Sequence, residues 1–90
     1  MGGKLEGIGF ANFRNYGSVS GDGIDDCDNG IGYSVEDKSG ITAGAFISIS
    51  PVGINCAFQI KIALGGGILA IRGRDFRRTW SEWKSIRLGA

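Results

Sequence analysis

Histidine is absent from this 90-residue chain, which removes Ser/His/Asp and Cys/His nucleophilic triads, imidazole zinc ligation and imidazole-based pH sensing together. Cysteine occurs twice, at Cys27 and Cys56. With no C-x-x-C spacing and no histidine partner, the two thiols build neither a zinc site nor a dithiol redox motif. Cys56, within an apolar run, reads as a small buried apolar group, whereas Cys27 lies in an acidic loop. No apolar run approaches 18 residues, and no basic start precedes a signal-like apolar core, so neither a membrane span nor a secretory signal is expected. Proline occurs once, at Pro51, where its missing N–H would end ladder pairing. What the chain has in excess is glycine, seventeen residues, without the Gly-X-Y period of collagen or the Ser/Pro bias of a linker. Those glycines read as turns.

A mass of 9.5 kDa makes one domain that buries only roughly 60% of its unfolded surface, so independent stability is expected to be marginal. The net charge is +1, but its distribution is lopsided. Residues 1–60 carry −4, much of it in Asp22, Asp25, Asp26 and Asp28, whereas residues 61–90 carry +5, with Arg72, Arg74, Arg77 and Arg78 close together. An acidic loop and a basic end in one small domain attract one another, within or between subunits.

Periodicity of two dominates. In Cys56 to Leu64 the large apolar groups occupy even positions while Gln59 and Lys61 occupy odd ones, the pattern of a half-buried strand. Ala45–Ser50 and Ile31–Glu36 alternate in the same way, Ile68–Arg72 makes a fourth strand, and Trp83–Leu88 a fifth. The segment around Ile8, Phe10 and Phe13 makes a sixth. Asn29-Gly30, Asp37-Lys38-Ser39-Gly40 and Gly65-Gly66-Gly67 supply turn chemistry between them, so consecutive strands are expected to pair antiparallel. The spacing predicts an all-β fold, a small antiparallel sheet or sandwich of about five or six short strands.

Three motifs fail on context. Gly65-Gly66-Gly67-Ile68-Leu69-Ala70 fits G-x-G-x-x-[GA], but strand and not helix follows it, and too little chain remains for a dinucleotide fold. The aspartates of residues 22–28 miss the EF-hand spacing, which wants Asp or Asn at Gly30 and Gly at Ile31, so no metal or other cofactor is expected. The same carboxylates in one loop are a poor frame for the paired groups of sugar hydrolysis. No enzymatic activity is expected.

Arg72, Arg74, Arg77 and Arg78 with Trp80 and Trp83 form the densest group of recognition-type side chains. Two uses are open to it. Arginine forks bind carboxylate or phosphate and indoles stack on sugars or bases; alternatively, the tryptophans cap a small core and the arginines pair with the acidic loop. The near-neutral total and the lack of any nucleic-acid signature argue against nucleic acid, leaving a small nucleic-acid-binding barrel as a weaker rival.

Five pieces in order resemble the knob domains of phage tail fibres and of the related tail-like bacteriocins, the pyocin knobs. They are Asp25–Val35 with its Asn-Gly-Ile-Gly-Tyr start, the apolar stretch Gly44–Ser50, the Gln-bearing strand Ala57–Ile62, the strand Gly67–Arg72 entered from a glycine turn, and Trp80-x-x-Trp83-Lys84-Ser85-Ile86. The likeness spans roughly residues 25–88, and Gly73–Arg78 stands where members often have a short Gly/Ser turn. The resemblance implies a knob-like, non-catalytic, homotrimeric domain over residues 25–90, with residues 1–24 as a connector toward a fibre shaft. It further implies a place in the virion tail fibre, synthesis in the host bacterial cytoplasm and action outside the cell, with no membrane insertion. The partners implied are the rest of the fibre and a bacterial surface glycan, bound by Arg72, Arg74, Arg77, Arg78 and Trp80. A purely structural trimerisation or spacer module is the rival within the same resemblance.

Overall fold

The computed structural model describes residues 13–51, 56–77 and 79–88. Six strands, β1 (Arg14–Ser20), β2 (Gly30–Val35), β3 (Ala43–Ile49), β4 (Ala57–Ala63), β5 (Ile68–Arg74) and β6 (Lys84–Arg87), form one mixed sheet in sequence order. The mostly-β expectation holds. It is a single open sheet and not a sandwich or a barrel, since β1 and β6 are its two edges.

Two local expectations change. Ile8 and Phe10 lie outside the described residues, and the first described strand begins one residue beyond Phe13. Arg14–Ser20 pairs parallel, not antiparallel, with β2. A 3-10 turn at Gly21–Asp26 carries the chain back across the sheet, so β1 and β2 run in the same direction. The register slips between Asn15 and Gly17, and Gly17 absorbs the irregularity at φ 66, a backbone setting that glycine adopts at little cost. Residues 14–24 are therefore part of the domain and not a separate connector: they supply an edge strand and Ile24, which is 1% exposed in the core.

The larger departure concerns which face of the sheet is inside. Phe46, Ser48, Gln59, Lys61, Ala70, Arg72 and Arg74 are buried, and the cross-strand register places them on one face. On the opposite face Ile31, Phe58, Ile62, Ile71 and Ile86 are all exposed. The sheet thus turns its polar alternates inward, and Gln59 and Lys61 are 0% exposed.

The covering layer explains this inversion. The buried face is roofed by a 3-10 turn and loops, whose backbone carbonyls have few internal partners and cannot be left dry without cost. The strands supply the missing donors. Gln59 Nε2 donates to the carbonyls of Ile24 (2.6 Å) and Cys27 (3.2 Å), and Ser48 Oγ donates to the carbonyl of Cys27. Lys61 Nζ donates to the carbonyl of Ile41 at 2.8 Å. A small apolar nucleus of Ile24, Cys27 and Phe46, flanked by Tyr16, Val19 and Trp83, fills the remaining space. Tyr16 stacks on Phe46 at 6.3 Å between centroids and accepts the N–H of Asp28.

Lys61 is neutralised by Asp37, with Nζ 2.7 Å from Oδ2 and both side chains almost fully buried. The β2–β3 connection delivers the carboxylate: Glu36 takes a left-handed φ of 58, and Asp37 then accepts hydrogen bonds from Ser34 Oγ and Ser39 N. Burial alone would push the Asp37 carboxyl up, but the hydrogen bonds from Lys61, Ser34 and Ser39 outweigh it and hold it below its ordinary value. A depressed folded-state pKa stabilises the fold above the unfolded-state value of about 4, and that contribution disappears as pH falls through the lower folded value. Urea midpoints followed from pH 6 down to pH 2 should therefore drop, and Asp37→Asn should flatten much of that slope.

Candidate functional site

The Arg/Trp cluster is assembled at the end of β5 and the return that follows it. Asp75 Oδ1 accepts the N–H groups of Arg77 and Thr79, an Asx-type turn that reverses the chain. Trp80 then bridges back to Arg74, and Ser81 locks the return by donating its N–H to the carbonyl of Gly73 while its Oγ accepts the N–H of Gly73. This hairpin swings Trp80 and Trp83 over the polar face of the sheet.

Arg72 lies between the two indoles, its guanidinium carbon 4.1 Å from the Trp80 ring centroid and 4.5 Å from that of Trp83. Its Nε donates to Gln59 Oε1 at 2.8 Å and its Nη2 to Asp25 Oδ1 at 2.6 Å. Arg74 donates Nη1 to Asp28 Oδ1 at 3.1 Å and sits 5.2 Å from the Trp80 centroid. Trp80 Nε1 donates to the carbonyl of Asp25. Asp25 and Asp28 are about half exposed, so each ion pair is worth at most about 1 kcal/mol by itself; the stacking and the burial of the arginine stems add to it.

Of the five residues expected to meet a ligand, Arg72 and Arg74 are buried and paired with the acidic loop, the structural use of the cluster. Trp80 is half-buried and lines two cavities. Arg77 is exposed at the turn, stacked over Phe76 at 5.6 Å. Arg78 lies outside the described residues. The site gains residues that sequence reasoning passed over: a cavity of about 450 Å³ is lined by Lys38, Arg72, Trp80, Ser81, Glu82 and Trp83. Lys38 comes from the β2–β3 loop, and its sequence carries only a hairpin signal; nothing local links it to Trp80.

The aspartates of the 3-10 turn shape one more group. Burial, followed by the charges of Asp26, Asp28 and Asp25, pushes the Cys27 thiol up to about 11, so almost no thiolate forms at neutral pH and the group is inert. Under native conditions at pH 8, Ellman's reagent should leave Cys27 unmodified, with the Cys56→Ser variant giving no colour until urea is added. No protein-family model, no curated protein and no solved structure matches this chain.

Proposed function

We propose that the chain is a non-catalytic tip or knob module of a phage tail fibre, homotrimeric, that contributes to attachment at a bacterial surface by binding a saccharide. One observation carries this reading: the exposed face of the sheet. From β2 to β5 it presents Ile31, Ile47, Phe58, Ile60, Ile62 and Ile71 and no charged residue. Asn15 and Ser18 on β1 flank it on one side, and Lys84 with the exposed Ile86 on β6 on the other. An uncharged apolar centre with polar groups at its edges suits a protein–protein interface, and a trough of about 510 Å³ runs across it between Ile31 and Ile62.

The occupant that fits is a second and third copy of this chain. Four strands about 4.8 Å apart and about 20 Å long project roughly 400 Å² of face. A stable pair buries about 800 Å² of accessible surface per partner, a demand more easily met when more than this one face is covered. Around a three-fold axis each protomer meets two neighbours and buries the flanks of the face as well. Three identical saccharide sites on one axis then raise apparent affinity by avidity.

Light scattering of the whole chain tests the reading, with three times the 9.5 kDa chain mass as the expected value; a monomer at micromolar concentration overturns it. An array of bacterial surface polysaccharides separates the attachment module from a purely structural spacer, which would be trimeric but bind nothing. The paired arginines and the open sheet disfavour a nucleic-acid barrel, whose binding would fall steeply with salt.

A further inference from the structure

We infer that the cleft between Lys38 and the Thr79–Trp83 return is a subsite for an uncharged saccharide residue. This deepens the attachment reading above and rests on it. The cleft holds about 450 Å³, within the range of small-ligand sites, and its walls come from two distant segments, the β2–β3 loop and the return after β5.

The charges facing this cleft carry the inference. Arg72, its central cation, is already neutralised by Asp25 at 2.6 Å and held between two indoles. What remains is one cation, Lys38, and one anion, Glu82. Both are exposed, and neither makes an ion pair or a side-chain hydrogen bond among the described residues. An ammonium only donates and an ionised carboxylate only accepts. A ligand that satisfies both carries acceptors and donors together, as sugar hydroxyls do, and two unpaired charges of opposite sign favour neither an anion nor a cation. An acidic sugar would gain Lys38 but meet Glu82, and it would find no unpaired arginine in the cleft. Trp80 and Trp83 add aromatic wall suited to the apolar C–H surface of a pyranose.

A second observation points to a missing partner. Trp83 Nε1 is buried and has no hydrogen-bond acceptor among the described residues. Such an orphan donor is uncommon in a folded protein, and it belongs to a residue that lines the cleft.

The test uses the whole chain, labelled with ¹⁵N, and follows the indole N–H signals of Trp80 and Trp83 during titration. The probes are glucose, galactose and N-acetylglucosamine, with glucuronic acid and N-acetylneuraminic acid as charged controls. At least one neutral sugar should move both indole signals at concentrations where the acids leave them in place. Lys38→Ala and Glu82→Gln should each weaken that response about ten-fold, since one hydrogen bond to a charged group is worth roughly that factor, whereas Arg77→Ala should leave it unchanged. Tighter binding of the acids overturns the charge argument, and indoles unmoved by every probe overturn the subsite. The two proposals fail separately. A trimer that binds polysaccharide while both indoles stay still removes this cleft and keeps the attachment module. A monomer whose indoles respond to glucose keeps the cleft and removes the fibre reading.

Discussion

Asp37→Ala should destabilise the domain by about 3–5 kcal/mol, a loss comparable with the whole stability of many small domains. The substitution leaves the Lys61 ammonium, which is 0% exposed, with only the carbonyl of Ile41 at 2.8 Å as a described partner. An isolated buried charge cannot recover its hydration, and the fold must either open to water or release the proton. Urea denaturation monitored by tryptophan fluorescence gives the measurement. The cause is separable from mere loss of packing by adding Lys61→Met, which removes the charge while keeping an unbranched stem. The double variant should recover much of the loss, because an apolar replacement of a buried ion pair is often neutral. A double variant as unstable as Asp37→Ala alone would show that the loop, and not the stranded charge, is responsible.

On the proposed trimer, Ile62→Lys should have the opposite profile, with folding preserved and assembly abolished. Ile62 is 45% exposed in the protomer, so a lysine there can reach water and the sheet keeps its circular dichroism. At the centre of a three-fold contact the same ammonium would be stripped of water opposite apolar neighbours, at several kcal/mol for each copy. The expected result is a drop in scattering mass from three chains to one. Ile31→Lys, on the other side of the trough, should behave alike. A variant that remains trimeric would place the contact on another surface.

Much of the fold was legible because period-two alternation is a strong local signal. Five of the six strands fall within two residues of where Val, Ile and Phe spacing puts them, and the glycine and Asx turns join them as expected. Alternation says that a strand has two faces, but it does not say which face is inside. That depends on what lies above the sheet, and here the roof is a 3-10 turn whose carbonyls demand donors. Gln59 answers that demand from 35 positions away, and Lys61 does the same for the Ile41 carbonyl of the β2–β3 loop from 20 positions away. The parallel β1–β2 pairing was hidden for a related reason. A nine-residue return spanning residues 21–29 resembles an ordinary loop until its 3-10 turn is seen to carry the chain across the sheet.

The candidate site was half legible. Opposite charge at the two ends of the chain announces that Arg72 and Arg74 meet Asp25 and Asp28, and that meeting takes both arginines away from the ligand role. Lys38 and Glu82 gave no warning. Each is an ordinary surface charge in its own segment, and only the packing of the β2–β3 loop beside the Trp80–Trp83 return makes them walls of one cleft.

An interior written in Lys61, Asp37, Gln59 and Arg72 also changes how divergence in this chain should be read. Such groups have few substitutes, because each must match a partner in charge, length and direction, while Ile, Val and Leu exchange freely on a greasy surface. Among descendants of this sequence, the slowest-changing positions should therefore be charged and amidic side chains gathered around one spot. A survey of invariance alone would mistake that spot for a catalytic centre.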